Sequence, residues 1–190
     1  MQSAHLTTRG LATTITVLLL SGCIVHTPKY PISWSPLTPA DGMECVDVTG
    51  RFANDGRSEG EGGLHPIKLS SLLLPAGAHM ESASALQLTP AGSSVIVLAT
   101  LSDGSTRGFS IELKGRCTPT ELEFVDPQDA GGVNREGVLG FSHRSLAFAR
   151  AADGSLVVRE SEGAVGMLLL VPTAGYVRTW SIFQSYGPPP

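Results

Sequence analysis

The sequence predicts an all-β domain, and three observations support this fold class. About ten short segments alternate apolar and polar residues, as strands with one buried face do. Asp103-Gly104 and Asp153-Gly154 each separate two such segments, and Asp-Gly suits the tight turn of a β-hairpin. Helical spacing is confined to one short segment, so strands and helices do not alternate as in a parallel sheet. We therefore expect a single antiparallel meander, folded as a small barrel or, alternatively, as a two-sheet sandwich.

The first 22 residues have the organisation of a secretion signal. Arg9 is followed by a short apolar stretch that ends at Leu20, and two small residues then precede Cys23. A positive charge, an apolar centre and small residues at the cut are typical of a cleaved leader. The stretch is shorter than the roughly 20 apolar residues that a membrane-spanning helix needs. We therefore expect cleavage between Gly22 and Cys23.

Leu20-Ser21-Gly22-Cys23 resembles the lipobox of bacterial lipoproteins. In that family the cysteine thiol receives a diacylglycerol group, the leader is removed, and the new amino terminus is acylated. The resemblance implies a membrane partner, reached through lipid on Cys23. Asp in the next position tends to keep such proteins at the inner membrane, so Ile24 implies the outer membrane. The alternatives are an uncleaved anchor or a chance match in a buried helix.

The segment from residue 23 to 43 is rich in proline. Four prolines favour an extended backbone there, because proline fixes φ and disfavours helix in the residue before it. We expect a spacer between the bilayer and a β domain of residues 44–184, which a disordered tail of residues 185–190 follows. Tyr30 and Trp34 leave two alternatives open, in which these side chains dock onto the domain or lie at the lipid interface.

Cys45 and Cys117 remain once Cys23 carries lipid. They form an even pair in a compartment that permits disulfides. We expect these two cysteines to be bonded to each other; two buried free thiols are the alternative.

The domain opens with an alternating segment from Cys45 to Ala53, which predicts a strand. Asn54-Asp55-Gly56 predicts a turn after this strand. The Gly, Ser and Glu residues from Arg57 to Gly63 predict a loop.

Two resemblances concern this opening segment. The stretch from Cys45 to Asn54 is similar to the opening of small proteobacterial outer-membrane lipoproteins. Gly50-Arg51-Phe52 resembles the Gly-x-Trp of the first lipocalin strand, with Phe52 in the place of Trp. The first resemblance implies an envelope lipoprotein, and the second implies a carrier of a small apolar ligand.

A short helix is expected from Pro66 to Leu74. Leu69, Leu72 and Leu73 share one helical face, Pro66 suits a first turn, and Pro75 ends the helix. We expect this helix to cover one end of the domain.

Strands and turns are predicted for the rest of the chain. Val165–Val171 is apolar except at Gly166, so we expect a buried strand there, whereas Asp126–Gly137 is expected to be a long polar loop. The other predicted strands are Leu86–Leu88, Val95–Leu101, Phe109–Leu113, Leu122–Phe124, Leu146–Phe148, Leu156–Val158 and Tyr176–Phe183.

Motifs that carry chemistry are not found in the sequence. HExxH, GxSxG, GxxxxGK[ST] and paired CxxC patterns are missing. Ser142 or Ser145 could act as a nucleophile with His143 as its base. Ser142 and His143 are neighbours on a strand and so point to opposite faces, which hinders that pair. A polar strand end is the simpler interpretation. We expect no catalytic residue and no cofactor.

A metal site is not expected either. Asp126, Asp129, Asn134 and Glu136 share a loop and could supply oxygen ligands, but without the spacing of a calcium loop. A solvated loop is the simpler interpretation.

The net charge of −4 and the lack of a basic run argue against nucleic acid as a partner. We expect a non-enzymatic envelope lipoprotein with a structural or interaction role; the alternative is a carrier of a small apolar ligand. A cavity of several hundred cubic ångströms would favour the carrier. An exposed apolar patch over a solid core would favour the interaction role, and a cleft with His and carboxylates would favour an enzyme.

Overall fold

The computed structural model describes residues 23–40, 45–60, 63–91, 94–112, 115–125, 132–135, 138–168 and 171–186. The leader with Gly22 and the tail residues 187–190 therefore lie outside the described residues. Helix α1 spans Leu69–Leu73, and a 3-10 turn spans Ala76–Ala78. The strands are β1 (Cys23–His26), β2 (Gly50–Gly60), β3 (Gly63–Lys68), β4 (Ala85–Ala91), β5 (Ser94–Thr100), β6 (Thr106–Glu112), β7 (Gly115–Cys117), β8 (Leu122–Val125), β9 (Gly132–Arg135), β10 (Val138–Arg150), β11 (Leu156–Leu168) and β12 (Val171–Ser185).

The strands form one sheet, in the order β6-β5-β4-β2-β12-β11-β10-β8-β7. β3 pairs with β2 and β9 with β10, both antiparallel, whereas β1 runs parallel to β12. The prediction of a mainly antiparallel all-β fold with one short helix is confirmed. The barrel closure preferred from the sequence is wrong, because the sheet is not closed and no ladder within the described ranges joins β6 to β7.

The centre of the sheet joins the first and last long strands of the domain. β2 and β12 are antiparallel, with Glu59 opposite Trp180 and Gly56 opposite Phe183. On its other side, β2 pairs with β4 near its start and with β3 near its end. The two halves of the sheet therefore depend on this one pairing.

Both Asp-Gly turns are formed as predicted. The Ser105 N–H donates to Asp103 Oδ1 over 2.9 Å between β5 and β6. The Ser155 N–H makes the equivalent bond to Asp153 between β10 and β11. The glycine of each turn has a φ of 82°, a left-handed value that favours glycine.

One face of the sheet, called the inner face here, carries the main core. On β5 the side chains of Val95, Val97 and Ala99 are buried, whereas Ile96 and Leu98 on the opposite, outer face are exposed. Burial thus follows the two-residue period that the sequence predicts for a strand. The largest side chains of this core are Phe52, Phe148, Phe183, Leu69, Leu86, Leu88 and Leu156.

The predictions for the first part of the domain need correction. Asn54-Asp55-Gly56 is not a turn, because all three residues lie inside β2. The predicted loop from Arg57 to Gly63 is instead largely strand, in the hairpin of β2 and β3. Helix α1 begins at Leu69 and not at Pro66, because Pro66 pairs with Arg57 as part of β3.

Two predictions for the second part also need correction. Val165 belongs to a longer strand, β11, and is 66% exposed, so the predicted buried strand is wrong at this residue. Asn134 lies in strand β9 and not in a loop. The carboxylates of Asp126, Asp129 and Glu136 lie outside the described residues.

β10, β11 and β12 continue beyond the main core as an arm, defined here as residues 138–144, 162–168 and 171–177. Val138 and Val171 both lie opposite Leu168 at the far end of the arm. β9 runs along one side of the arm and β1 along the other. The arm is therefore a five-stranded extension of the sheet that begins, on one side, at Cys23.

Candidate ligand cavity and lipidation site

A cavity of about 780 Å³ lies where the sheet fails to close. Phe109 and Ile111 of β6 line one side, and Phe124 of β8 and Leu146 of β10 line the other. Helix α1 and the segment after it, as far as Glu81, form a third wall. The cavity thus occupies the place where a further strand pairing would close a barrel.

The depth of the cavity is apolar and its mouth is polar. Seven lining side chains are buried and apolar, and six lining residues are exposed. Such a gradient suits a ligand with an apolar body and a polar end. The buried ones are Val48, Leu72, Leu74, Met80, Leu88, Val95 and Phe148; the exposed ones are Ser71, Pro75, His79, Glu81, Ser110 and Glu112.

Strand register explains why these apolar residues converge. Val95 lies opposite Ile111, and both project to the inner face. On the other side of the cavity, the rings of Phe124 and Phe148 lie 4.9 Å apart between their centroids. Each wall therefore arises from ordinary alternation in a strand, and the space between the walls arises because β6 and β7, the edge strands of the described sheet, are not paired with each other.

Asn54 fixes the helical wall of the cavity. Its buried side-chain amide donates to the carbonyl oxygens of Met80 (3.2 Å), Glu81 (3.4 Å) and Ala83 (2.9 Å). Its Oδ1 accepts from the N–H of Ser70, at the start of α1, over 2.8 Å. One side chain of β2 therefore holds both the helix and the segment after it.

Arg144 is a charged, half-buried residue of the cavity wall. Its Nε donates to Glu160 Oε1 over 2.5 Å, and Glu162 Oε1 lies 3.9 Å from the same nitrogen. A guanidinium has five N–H donors, so it is able to hold Glu160 and a ligand oxygen at the same time. The two carboxylates offset its charge, and an uncharged oxygen therefore suits this wall better than an anion.

Cys45 and Cys117 form a disulfide, as predicted, with their Cα atoms 5.5 Å apart. The bond joins the segment before β2 to strand β7 at an edge of the sheet. Beside it, the Val46 N–H donates to the carbonyl oxygen of Thr118 over 3.4 Å. These links hold Val46 and the cavity residue Val48 in the core.

Residues 28–40, called the strap here, lie across the outer face of the sheet. The indole Nε1–H of Trp180 donates to the Pro28 carbonyl oxygen over 3.0 Å. The ring of Tyr30 makes edge contacts with Trp180 and Trp34, at centroid distances of 5.3 and 5.9 Å. These contacts show the segment docked onto the domain, which was one alternative to a free spacer.

The far part of the strap is tied to the turn between β10 and β11. The Thr38 N–H donates to Arg150, and the Ala152 N–H donates to Pro36, both to carbonyl oxygens at 2.8 Å. Ser35 Oγ donates to the Asp153 carboxylate over 2.9 Å. The strap therefore crosses the outer face from β12 to the end of β10.

Electrostatic effects at this turn keep Asp153 charged. Burial acts to raise the pKa of Asp153, but hydrogen bonds from Ser155 and Ser35 outweigh burial and lower it. Burial, together with the nearby Asp153 carboxylate, raises the pKa of Tyr30. At neutral pH the strap thus meets an ionised Asp153 and an un-ionised Tyr30.

Cys23, the residue expected to carry lipid, is the first residue of β1 and is an exposed, free cysteine. It lies opposite Ala174 of β12, in the arm. The residue expected to carry lipid is therefore part of the sheet itself, whereas a spacer was expected to separate it from the domain.

Of the residues considered for catalysis, the structure separates Ser142 from His143 and places Ser145 on the same face as His143. Ser142 lies on the inner face, whereas the exposed His143 lies on the outer face, where its ring covers Gly163. Ser145 is buried on the outer face. Among the described residues, no three His, Cys, Asp or Glu side chains converge as metal ligands.

No family model, curated protein sequence or solved structure matches this chain. Within the described ranges, no helix is long and apolar enough to cross a membrane. The cavity and the position of Cys23 are the features of this chain that bear on its function.

The strand residues that line the cavity were predicted from the sequence only as apolar positions of alternating strands. Phe109, Ile111 and Leu146 have the alternation of half-buried strands, and that pattern is the same whether or not another strand covers them. The cavity exists because the sheet does not close, and closure depends on strand pairing between segments that are far apart in the sequence. The cavity therefore has no local sequence signature.

Proposed function

We propose that this protein is a lipoprotein of the bacterial cell envelope, anchored at the outer membrane through lipid on Cys23, and that its β domain carries a small apolar ligand. The observation that carries the proposal is the cavity of about 780 Å³. Ligand sites typically occupy roughly 300–1,000 Å³ and combine an apolar lining with few polar groups.

The chemistry of the lining narrows the class of ligand. Buried side chains such as Leu88 and Val95 favour an apolar body. Glu81 and Glu112 at the mouth oppose an anionic ligand, and Glu160 and Glu162 offset the charge of Arg144. We therefore propose a ligand with an acyl or similar apolar chain and an uncharged, hydrogen-bonding end.

The proposal of a lipid anchor is supported by the sequence before Cys23 and by the exposure of Cys23. Each buried methylene of an acyl chain contributes about 0.8 kcal/mol, and two or more chains give stable retention. Because β1 begins at Cys23, the anchor would hold the domain directly at the bilayer surface.

A structural or interaction role is the second candidate. Phe141 and Val165 favour it, because these apolar side chains are 71% and 66% exposed on the arm. Large exposed apolar patches mark contact surfaces for proteins or membranes. The two roles use different parts of the molecule and are compatible.

The test is native mass spectrometry of the full-length protein after extraction from a bacterial envelope. Ile111→Trp places a large ring in the cavity, whereas Ile96→Trp places the same ring on the outer face of the adjacent strand. We expect the wild-type protein and Ile96→Trp to retain a small molecule or an added monoacylglycerol. Ile111→Trp should weaken monoacylglycerol binding at least about tenfold, or 1.4 kcal/mol.

The same spectra report the anchor. We expect the peptide that begins at Cys23 to carry diacylglycerol and acyl masses. A Cys23 thiol without lipid, in a chain that keeps residues 1–22, would contradict the anchor. Equal monoacylglycerol binding by both Trp variants, or none by the wild-type protein, would contradict the ligand site.

A further inference from the structure

Strand register places Cys23 in one row with exposed apolar residues. Phe141, Val165 and Ala174 lie directly opposite one another on β10, β11 and β12, and Cys23 of β1 completes the row. Directly opposed residues project to the same face of a sheet, which here is the outer face. Phe141 is 71% and Val165 is 66% exposed.

The row lies beyond the strap. The strap meets β12 at Trp180, six residues along the strand from Ala174, which corresponds to about 20 Å. Val25, two residues after Cys23, projects to the same face and is 67% exposed. The apolar side chains of the arm are thus not covered by the strap, which lies over the outer face around Trp180.

Charge on the outer face changes along the arm. Ser145, Ser161 and Arg178 form a row between the strap and the apolar row. Beyond Arg178, the described residues of β10, β11 and β12 place no carboxylate on this face, and the polar side chains described there on these three strands are those of Tyr176 and His143. Apolar residues, then Tyr, then Arg is the order found where a protein surface passes from the edge of a bilayer into water.

The sequence at the end of the arm agrees with this gradient. Val165–Leu168 and the first residues of β12, Val171 and Pro172, are apolar except for Gly166. The end of a hairpin in water is normally polar. The continuous apolar stretch that predicted a buried strand therefore has a reason other than burial in the protein core.

We propose that the outer face of the arm lies in the surface of the bilayer that holds the lipid on Cys23, with Phe141, Val165 and Val25 among the lipid headgroups and acyl chains. This inference rests on the proposed lipidation of Cys23. Phe141 is three strand spacings from Cys23, or about 14 Å, so both residues reach the same patch of membrane. The lipid is the anchor, and the arm orients the domain on it.

The test uses photochemical cross-linking in the full-length, lipidated protein. A p-benzoylphenylalanine at position 141 is illuminated in phospholipid vesicles that contain anionic lipid, and adducts are identified by mass. The matched control carries the same group at Ile96, which is also exposed but lies on β5. We expect phospholipid adducts at position 141 to exceed those at position 96 at least about tenfold, as for residues held in and out of the interface.

A second probe position and the mass of Cys23 keep the outcomes apart. Position 165 should give the same phospholipid adducts as position 141, because the two residues are cross-strand neighbours. Acylated Cys23 with equal, low lipid labelling at positions 141, 165 and 96 would overturn the membrane-facing arm and leave the proposed function intact. Unmodified Cys23 would instead overturn the proposed anchor, and the inference with it.

Discussion

Among single residues, Asn54 connects three parts of the described fold through one side chain. The side chain is fully buried, and its four hydrogen bonds connect β2 to α1 and to the segment from Met80 to Ala83. A buried amide of this kind stabilises the fold because each of its polar atoms is paired, and removing it leaves the partners unpaired.

We expect Asn54→Ala to lower the free energy of unfolding by about 3 kcal/mol, because the N–H of Ser70 and the carbonyl oxygen of Ala83 lose their partner. Chemical denaturation monitored by circular dichroism measures the change. The control is Ser84→Ala, which removes an exposed hydrogen bond to Thr100 and should cost less than about 1 kcal/mol. Equal losses in both variants would contradict the role of Asn54.

The same stretch shows where local sequence rules fail. Asn54-Asp55-Gly56 has the composition of a turn. Asn54 and Gly56, however, make contacts with parts of the chain that are distant in sequence. Asn54 satisfies distant backbone groups, and Gly56 lies so close to the ring of Phe183 that a Cβ atom would collide with it. Glycine in a strand often marks such a close approach, which no short window of sequence reveals.

Among the elements, the strap covers an apolar part of the sheet that would otherwise face water. Its aromatic side chains cover a second apolar cluster on the outer face, formed by Ala149, Val157 and Trp180. The strap has no regular secondary structure, so its side-chain contacts with Trp180 and its few backbone hydrogen bonds hold it in place.

We expect Tyr30→Ala to lower the free energy of unfolding by about 2 kcal/mol, because it removes both edge contacts of the ring. Tryptophan emission should move to longer wavelength as Trp34 and Trp180 become more exposed. Ile32→Ala is the control, since Ile32 belongs to the same strap but is fully exposed and should change stability by less than about 0.5 kcal/mol. An unchanged emission spectrum in Tyr30→Ala would mean that the strap does not depend on this ring.

Elements whose conformation depends on residues adjacent in the sequence were predictable. Elements whose conformation depends on contacts with distant parts of the chain were not. The Asp103-Gly104 and Asp153-Gly154 turns form because an Asp, a Gly and a Ser meet within four residues. The hairpin of β2 and β3 was missed because its strands contain Gly, Ser, Glu and Pro, and pairing with β12 decides their conformation. Tertiary contacts outweigh strand propensity in this hairpin.

At the scale of the whole molecule, the disulfide compensates for a sheet with free edges. It joins Cys45, at the entry to the central strand β2, to Cys117 in the edge strand β7, across 72 positions of sequence. A closed barrel would protect its edges by pairing them, whereas this open sheet holds one edge strand covalently. The segment that enters the core before β2 is held by the same bond.

We expect reduction, or the double replacement Cys45→Ser with Cys117→Ser, to lower the free energy of unfolding by about 4 kcal/mol, as the chain-entropy account gives for a loop of this length. Urea denaturation with and without reductant measures the difference. Cys23→Ser, which leaves the disulfide in place, should be as stable as the wild-type domain. A loss in Cys23→Ser as large as in the double replacement would contradict this account.

The all-β fold class was predictable from the sequence, but whether the sheet closes into a barrel was not. Alternation at Val95 and Val97 and the two hairpin turns are enough to predict an antiparallel all-β domain. The open edge between β6 and β7, and with it the cavity, depends on how far the whole sheet curls, which no residue encodes alone. The ligand cavity is therefore a property of topology, whereas the proposed lipidation site is a property of four adjacent residues.

The pairing of β2 with β12 sets an order for biogenesis. β12 runs to Ser185, so the middle of the sheet cannot assemble until the ribosome has made the chain as far as this strand. Pairings between such distant segments also form slowly. Under the proposed export of this protein, the pairing of β2 with β12 would therefore still be unformed while the earlier part of the chain crosses a translocation channel.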